Sequence, residues 1–320
     1  MEAEFDFGRK RGPAPKSATW RPGKPTPASR RQYWDVEGNM QQAAGKNIDI
    51  VTVDGFGEEW AAFDQSALSP AEHHDLFLRY FSIFPFGDLG PDAEGFDLGC
   101  GSGRWAALMA DRVGHLHCID PSDKALAVAR RRLAGQPQTS FHLADAGSIP
   151  LADESQDFGY SLGVLHHIPD TAQAMRDCTR KLKPGAPFLV YLYYRFDNRP
   201  LWFRTIWKVS DGARKLISNL PFGARKAVTN IIAATVYWPL ARFARLVGTP
   251  KGSPFPLAYY QDCSFYTMRT DALDRFGTRL EHRFTRAEIE KMMRDADLEH
   301  IEFREAEPYW TACGRKRRAT

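Results

Sequence analysis

A glycine-rich segment at residues 95–105 limits how the chain around it can fold. It begins as an apolar run, passes through alternating glycines at Gly99, Gly101 and Gly103, and continues into good helix formers over 105–110. This order predicts a strand, a tight turn and the first turn of a helix. Glycine lets a ligand approach the backbone where a Cβ would block it, and a helix start offers free N–H groups to a polar ligand.

An acidic residue ends the next apolar stretch. Asp120 lies sixteen residues after Arg104 and follows the apolar run 113–119. An acid at the end of the second strand is where a dinucleotide-type fold holds the two hydroxyls of a ribose. A short glycine motif alone is a weak signal, but the strand, the helix and the strand-terminal acid together predict a nucleoside ligand.

Five motifs resemble those of the class I S-adenosylmethionine (SAM) dependent methyltransferases. Residues 97–103 are similar to the first motif of that family, 118–122 to the second, and 144–146 to the turn that contacts adenine. Residues 161–170 resemble the fourth-strand motif of a small-molecule branch that includes the quinone-biosynthesis methyltransferases, and 182–186 resemble the turn before strand five. Five motifs in the correct order are far more specific than one.

The resemblance implies an α/β fold: a Rossmann-like, seven-stranded, mostly parallel sheet with an antiparallel last strand. Single helices separate the first five predicted strands, which favours parallel pairing with right-handed crossovers. The motif residues then lie at the carboxyl ends of strands, where an open α/β sheet binds ligands. Strands are predicted near 95–99, 115–119, 139–142, 157–162, 187–194, 298–303 and 309–314.

Composition and pattern predict four parts of the chain. Residues 1–32 are rich in Pro, Gly, Arg and Lys and are expected to form a flexible basic arm, with nucleic-acid binding by that arm as the alternative. Residues 33–90 form a helical, aromatic region that covers the cofactor site. The SAM-binding methyltransferase domain comprises 91–195 and 284–318, and residues 196–283 are a helical insertion that caps the substrate.

Aromatic residues in the second part allow two interpretations. An apolar stripe within 70–84 predicts a helix packed on the sheet, with Pro70 in its first turn. The residues from Phe56 to Phe63, with a helix predicted over 58–65, either pack in the same way or close over the cofactor. In similar methyltransferases the N-terminal helices commonly close over the cofactor, and Trp60 is the residue expected there.

The net charge of +4 is unevenly distributed. Residues 195–251 hold eleven Arg and Lys against two acids. Such a segment is a solvated helical surface, a site for an acidic substrate, or a contact with an anionic membrane. The uncharged stretch 227–241 is too short to span a bilayer and fits either a buried or an interfacial helix. Peripheral contact with an anionic membrane through 196–251 therefore stays open.

The five cysteines contain no CxxC pair, which argues against a disulfide framework or a zinc site and favours a reducing compartment. No apolar run is long enough to cross a bilayer, and the N-terminus lacks an apolar signal core. We therefore expect a cytoplasmic protein that uses no metal. Nucleic acid is not an expected partner, and a homodimer is one option.

The resemblance implies which residues hold SAM and its product, S-adenosylhomocysteine. Asp120 would accept both ribose hydroxyls, a geometry that suits a carboxylate. Asp145 would accept from the adenine amine, or would only cap its own turn. The other predicted cofactor contacts are Asp97, Gly99, Cys100, Gly101, Gly103, Pro121, Ser122, Ala146, Leu162 and Trp60.

Methyl transfer from a sulfonium is an in-line displacement, so the protein has to align the acceptor and, where needed, remove its proton. His166 and His167 close the predicted fourth strand, and an imidazole titrates near neutral pH. Adjacent residues at a strand end point to opposite sides, and we expect His166 to face the acceptor as general base, with packing on the methionine moiety as the alternative. Tyr194 is a further catalytic candidate that would orient the acceptor. Tyr193 and Arg195, which end the same predicted strand, could orient the acceptor as well, and Tyr266 and His282 of the insertion are weaker candidates.

These observations predict a SAM-dependent methyltransferase that moves a methyl group to O or N of a small molecule. The basic insertion favours an acidic or phosphate-bearing acceptor, such as a glycan precursor, a lipid-linked intermediate or an acidic metabolite. Residues 163–166 lack the Asn/Asp-Pro-Pro-aromatic turn of many nucleic-acid methyltransferases, which argues against methylation of a base. The alternatives are a protein or peptide methyltransferase and a non-catalytic scaffold. The intact Asp97, Asp120 and Asp145 argue against the scaffold.

Overall fold

The computed structural model describes residues 47–250 and 252–318. The predicted basic arm 1–32 and the first part of the predicted aromatic region, 33–46, lie outside the described residues.

A seven-stranded sheet forms the centre of the described structure. Its strands are β1 (Glu94–Leu98), β2 (His115–Asp120), β3 (Thr139–Leu143), β4 (Phe158–Leu162), β5 (Pro187–Tyr191), β6 (Leu298–Phe303) and β7 (Thr311–Lys316). They lie in the order β3-β2-β1-β4-β5-β7-β6. β1 to β5 pair in parallel, and β7 pairs antiparallel with both β5 and β6. The predicted Rossmann-like, mostly parallel sheet with an antiparallel last strand is confirmed.

The central strands are buried because helices cover both faces of the sheet. Every residue of β4 and four of the five in β1 are buried, as expected for parallel strands between two helical layers. One core cluster includes Leu116 and Tyr160, and the other includes Phe96, Ile119 and Phe188. These clusters fix the strand ends that carry the predicted site residues.

Helices in the described part of the chain flank and cap this sheet. They are α1 (Ile50–Ala62), α2 (Pro70–Tyr80), α3 (Ala106–Met109), α4 (Asp123–Arg132), α5 (Thr171–Thr179), α6 (Leu201–Ile217), α7 (Phe222–Ile232), α8 (Trp238–Leu246), α9 (Phe265–Gly277) and α10 (Arg286–Asp295). α1 begins eight residues before the predicted 58–65. Its start is fixed by Asp49, whose side chain accepts a hydrogen bond from the Thr52 N–H at 3.1 Å.

The uncharged stretch 227–241 is not one continuous α-helix. It is divided between the end of α7, a π-helical turn at Ala233–Tyr237 and the start of α8, where Pro239 occupies the first turn. Since α8 continues directly from the π-helical turn, the Trp238 N–H donates to the Ala233 carbonyl, and Pro239 follows it in the chain. Within 47–250 and 252–318, no helix has both the length and the apolar character needed to cross a membrane.

Candidate functional site

A cavity of about 520 Å³ lies at the carboxyl ends of β1, β2, β4 and β5. This volume falls within the range usual for small-molecule sites, roughly 300–1,000 Å³. α1 contributes Trp60 to its lining, α6 contributes Trp207, the π-helical turn contributes Tyr237, and α9 contributes Asp271. The strand ends therefore form the base of the cavity. Its cover comes from α1, which precedes β1 in the chain, and from α6, the π-helical turn and α9, which lie between β5 and β6.

Three glycines of the loop after β1 have positive φ angles, and they face different parts of the structure. Gly99 (φ +76°) and Gly101 (φ +54°) line the cavity, and a Cβ on Gly99 would come within 2.3 Å of the Val164 side chain. Gly103 (φ +73°) faces α4 instead, where a Cβ would lie 3.2 Å from the Ala129 Cβ. The missing side chains of the first two glycines leave room for Val164 and Trp60, and the third glycine lets the loop approach α4.

Asp120 is held in place by backbone groups on both sides. Its Oδ2 accepts a hydrogen bond from the Gly101 N–H at 2.9 Å, and its Oδ1 accepts one from the Ser122 N–H at 2.8 Å. Burial raises the pKa of Asp120 to about 6, and the two backbone hydrogen bonds oppose that rise. A carboxylate oxygen has two lone pairs, so each oxygen can still accept from a hydroxyl in the cavity.

α1 lies directly against the glycine loop. A Cβ on Gly101 would come within 2.8 Å of the Trp60 Nε1, and a Cβ on Gly57 would come within 2.4 Å of the Ser122 Oγ. Trp60 lines the cavity, as does Phe56 one turn earlier. Trp60 therefore lies over the glycine loop, where the absence of side chains at Gly57 and Gly101 makes the close approach possible, and its contact with a cofactor stays a prediction.

Arg104 also lines the cavity, although the sequence analysis did not select it as a site residue. Its guanidinium carbon lies 4.3 Å from the centre of the Trp105 ring and 5.9 Å from that of Trp60. A guanidinium stacked on aromatic rings keeps its N–H donors available for a planar anion such as a carboxylate. Its position directly after the glycine loop was a sequence signal that could have identified it.

His167 lines the cavity, and its imidazole is almost fully buried. Its Nδ1 lies 2.7 Å from the Leu280 carbonyl oxygen, which assigns the proton to Nδ1 and leaves the Nε2 lone pair free. Among the described residues Nε2 has no hydrogen-bond partner, and it lies 4.0 Å from the Asp274 Oδ1. Burial lowers the pKa of His167, so the ring is neutral at pH 7 and able to accept a proton.

His166 lies behind the cavity wall, in contrast to the expectation that it faces the acceptor. It is fully buried and does not line the cavity, and its ring stacks on Tyr193 with the centroids 3.9 Å apart. Burial also lowers its pKa. The expectation assumed strand alternation, but residues 165–167 form a 3-10 turn after β4, which reverses the two side chains. His166 therefore packs on Tyr193, and its alternative placement against the methionine moiety does not fit this position either, since it too needs a side chain that lines the cavity.

Two acids of α9 face the same part of the cavity. Asp271 and Asp274 are one helical turn apart, and both line it. The Tyr193 hydroxyl donates a hydrogen bond to the Asp274 Oδ2. Burial raises the pKa of Asp274, and it raises the pKa of Asp271 to about 6. Neither acid belongs to a recognisable motif, so the sequence analysis missed both.

The structure brings most of the predicted site residues together on the cavity wall. They are Trp60, Gly99, Cys100, Gly101, Asp120, Pro121, Asp145, Ala146, Leu162, His167 and Tyr194. Asp145 fits both of its interpretations, because its Oδ1 also accepts a hydrogen bond from the Ser148 hydroxyl at 2.9 Å within a short turn. The particular contacts of these residues with a cofactor or acceptor stay predictions.

Three predicted cofactor residues lie behind the wall rather than on it. Gly103 faces α4, and Ser122 caps α4 by accepting from the Ala125 N–H at 3.4 Å. Asp97 is 1% exposed, and its Oδ2 has no hydrogen-bond partner among the described residues. Burial raises the pKa of Asp97 to about 8. All three lie behind the cavity wall, where they support the glycine loop and the ends of β1 and β2.

The basic charge of the insertion lies mainly outside the cavity. Among the described basic residues of 195–250, Arg199 alone lines the cavity, and its guanidinium pairs with Glu307. Two further arginines of the lining, Arg275 and Arg283, share the buried carboxylate of Glu281 at 3.2 and 2.7 Å. The cavity therefore contains two guanidiniums on one carboxylate, close to the acids of α9.

Comparison with known proteins identifies a methyltransferase domain. Residues 96–190 match the family model described as "Methyltransferase domain". The chain is 35% identical over 138 residues to phosphoethanolamine N-methyltransferase 2 of Caenorhabditis elegans, covering 42% of this chain and 31% of that protein. It is 28% identical over 178 residues to the ubiquinone biosynthesis O-methyltransferase of Aromatoleum aromaticum, covering 55% and 71% respectively.

A third relative is an uncharacterized 37.1 kDa protein in transposon TN4556 of Streptomyces fradiae. It is 30% identical over 176 residues, covering 54% of this chain and 49% of that protein. The match with the nematode enzyme covers less than a third of that enzyme, and the match with the Streptomyces protein covers about half of it. The residues matched by the family model carry β1 to β5.

Proposed function

We propose that this chain, in which residues 96–190 form a class I SAM-dependent methyltransferase domain, transfers a methyl group from SAM to an oxygen or nitrogen of a small molecule. One observation carries the proposal: a single cavity is lined both by Asp120, whose carboxylate is held by backbone N–H groups, and by His167, whose buried Nε2 has no hydrogen-bond partner among the described residues. The proposed nucleoside site and a candidate proton acceptor would therefore share one cavity, as group transfer requires.

The residues at the Asp120 end fit the cofactor. The carboxylate of Asp120 would accept the ribose hydroxyls with its remaining lone pairs, and the turn Asp145–Ala146 would lie beside the adenine. The central part of the ligand would lie beside the loop at Gly101, whose missing side chain leaves room for Trp60. We assign the methionine carboxylate to Arg104, whose guanidinium suits a planar anion. When bound, SAM supplies an electrophilic methyl group on a sulfonium.

The residues at the His167 end would prepare the acceptor. The free Nε2 of His167 would accept a proton from an acceptor hydroxyl or ammonium, which is general base catalysis worth roughly 10²–10⁴-fold in rate. The carboxylate of Asp274, 4.0 Å away, would stabilise the imidazolium that results. Tyr193 would act as a positioning residue, because its hydroxyl fixes the Asp274 carboxylate. The aromatic cover would exclude water from this end.

The finer proposal concerns the charge of the acceptor. The guanidiniums of Arg275 and Arg283 line the cavity and share one carboxylate of Glu281, and such a pair of guanidiniums would suit an acidic or phosphate-bearing acceptor. The basic residues on the outside of the insertion do not contribute to this argument, since they do not line the cavity. The acids of α9 would then orient a hydroxyl or amine on the same molecule.

The proposal is tested by following a labelled methyl group from SAM to a panel of acceptors that comprises phosphomonoesters, carboxylic acids, neutral alcohols and amines. We expect transfer to an anionic acceptor, release of S-adenosylhomocysteine, and loss of both in Asp120→Ala. The matched control is Asp123→Ala, which removes an exposed carboxylate three residues away. Transfer to peptides alone would favour the protein methyltransferase. SAM binding without transfer to any compound would favour the scaffold and contradict the proposal.

A further inference from the structure

The helical insertion exposes far more apolar surface than the rest of the described chain. Of the sixteen large apolar side chains that are exposed, twelve lie between Leu201 and Val247. Single exposed apolar residues are normal, but a concentration of this kind marks an interaction surface. The surface belongs to α6, the end of α7, the π-helical turn and α8.

Side chains of the same chemical type form rows along the surface of α6. Trp202, Ile206, Val209 and Leu216 follow one another at intervals of four, three and seven residues, so they share one face of the helix. All four are exposed, with 48%, 53%, 73% and 76% of their surfaces accessible. This row of side chains, the apolar stripe of α6, faces away from the protein core.

A basic stripe accompanies the apolar one on α6. Arg204, Lys208 and Lys215 are spaced four and seven residues apart, and all three are exposed. A third face is directed inward, where the guanidinium of Arg214 donates to the Thr278 carbonyl at 2.8 Å. Helices that lie in a membrane interface typically expose both an apolar stripe that includes Trp and a basic stripe.

The exposed apolar surface continues to the mouth of the cavity. Ile206 of α6 and Val236 of the π-helical turn both line the cavity, and 53% and 42% of their surfaces are exposed. They therefore form part of its rim. Trp202 lies one turn before Ile206, and Trp238 lies two residues after Val236 and is 40% exposed. Both tryptophans lie outside the cavity lining, close in sequence to the rim residues, and their amphipathic rings favour the lipid headgroup region.

The charges on this surface identify its occupant. The two acids of the segment are already engaged: Asp211 pairs with Arg214 and Lys215, and Asp197 accepts hydrogen bonds from the Arg286 N–H and the Trp310 indole. The exposed surface therefore presents positive charge beside apolar groups. An anionic bilayer complements both properties at once, whereas exposed lysines are depleted from protein–protein interfaces.

We propose that the exposed faces of α6, the π-helical turn and α8 dock onto an anionic lipid bilayer, with the mouth of the cavity facing the lipid. Docking is peripheral, with the apolar side chains entering only the boundary between headgroups and acyl chains. An acceptor dissolved in the bilayer would then reach the cavity directly. That last step rests on the proposed methyl transfer, whereas docking does not.

The test is co-sedimentation of the full chain with vesicles of phosphatidylcholine alone and of phosphatidylcholine with phosphatidylglycerol, in the absence of SAM. We expect binding to the anionic vesicles only. The variant Arg204→Gln/Lys208→Gln/Lys215→Gln is expected to bind on the order of 100-fold more weakly, since each basic residue near the surface contributes several-fold. Arg214 is left unchanged, because its buried guanidinium holds α6 to the protein.

Two further variants complete the vesicle experiment. Arg131→Gln/Lys291→Gln/Arg294→Gln removes the same charge from α4 and α10 and is expected to bind like the wild type. Trp202→Ser/Val209→Ser, which removes apolar groups that do not line the cavity, is expected to weaken binding while leaving the SAM affinity unchanged. Residues 1–46 are identical in all chains, so any contribution of the basic N-terminal residues cancels.

Equal binding by the α6 charge variant and its matched control would overturn the proposal, as would failure of the wild type to bind anionic vesicles. A dimer in solution that dissociates in Trp202→Ser/Val209→Ser, without vesicle binding, would also overturn it and assign the surface to a second copy. Vesicle binding in a chain that transfers no methyl group would support docking while contradicting the proposed function, so the two failures are distinguishable.

Discussion

Trp60 lies directly over Gly101, so closely that a Cβ on the glycine would come within 2.8 Å of the indole nitrogen. This contact joins the N-terminal helix α1 to the loop after β1. The position of Trp60 over the cavity therefore depends on the absence of a side chain at Gly101. The contact also explains why the loop needs glycine at Gly101 beyond its positive φ of +54°.

Replacing Gly101 with alanine tests this contact. An L-residue in the left-handed region costs roughly 1–2 kcal/mol, and the new Cβ displaces Trp60. We therefore expect Gly101→Ala to lower the melting temperature and to weaken SAM binding at least tenfold, measured by calorimetry. Gly135→Ala is the control, because a Cβ there meets nothing within 4 Å. The double variant Trp60→Ala/Gly101→Ala should recover part of the stability. Unchanged SAM affinity in Gly101→Ala would contradict the placement of the ligand at this loop.

Arg104 provides a test that separates two ends of the cofactor. If its guanidinium binds the methionine carboxylate, Arg104→Met should weaken SAM binding by roughly 10- to 100-fold, the range for a hydrogen bond to a charged group. Binding of 5′-methylthioadenosine, which lacks that carboxylate, should hardly change. Arg130→Met, on the exposed side of α4, serves as the control in the same calorimetric titrations. An equal loss for both ligands would show that Arg104 supports the fold rather than the carboxylate.

His167 and His166 should differ in their kinetic roles. His167→Gln is expected to lower kcat by roughly 10²–10⁴-fold with little effect on SAM affinity, because it removes a general base. His166→Gln should chiefly reduce stability, since that ring is fully buried against Tyr193.

The pH profile distinguishes these roles further. Burial lowers the pKa of His167, so the base stays neutral below the usual 6.5 and kcat falls only as the pH drops through the lowered value. The acid limb of the kcat profile should be absent in His167→Gln and present in His166→Gln. If His166→Gln instead removed that limb, the assignment of the two histidines would have to be exchanged.

Asp97 should make the stability of the ligand-free protein depend on pH. Burial raises its pKa to about 8, so between about pH 4 and 8 the folded state holds a proton that the unfolded state releases. The free energy of unfolding should therefore fall as the pH rises through this window, by up to about 1.4 kcal/mol per pH unit. Asp97→Asn should remove this slope in urea titrations, whereas Asp123→Asn serves as the surface control. A slope that is the same in Asp97→Asn and the wild type would contradict the buried, ionisable position.

The sequence alone predicted the sheet and the cofactor end of the cavity because both depend on local signals. The loop glycines require positive φ, and Asp120 closes an apolar strand. Short segments of the sequence are enough to predict these features, and the parallel strands bring them to one edge of the sheet. The α1 boundary was missed at Asp49 because a capping residue before a glycine-containing helix gives a weak signal.

The acceptor end could not be predicted in the same way because it depends on tertiary contacts. Asp271 and Asp274 reach the cavity only because α9 packs beside the sheet, and no motif marks them. The orientation of His166 and His167 was reversed by a turn too short to recognise from periodicity. The charge of the insertion was visible in the sequence, but its distribution between cavity and outer surface depends on how α6 to α8 pack.

Calorimetric titration of SAM into the full chain, into Asp120→Ala and into Asp123→Ala tests the central claim most directly. The carboxylate of Asp120 is the one group that both shapes the loop through Gly101 and faces the predicted ribose. We predict that Asp120→Ala weakens SAM binding by roughly 100-fold, as expected for losing charged hydrogen bonds, while Asp123→Ala binds like the wild type. Equal affinity in Asp120→Ala and the wild type would contradict the assignment of this cavity to the cofactor.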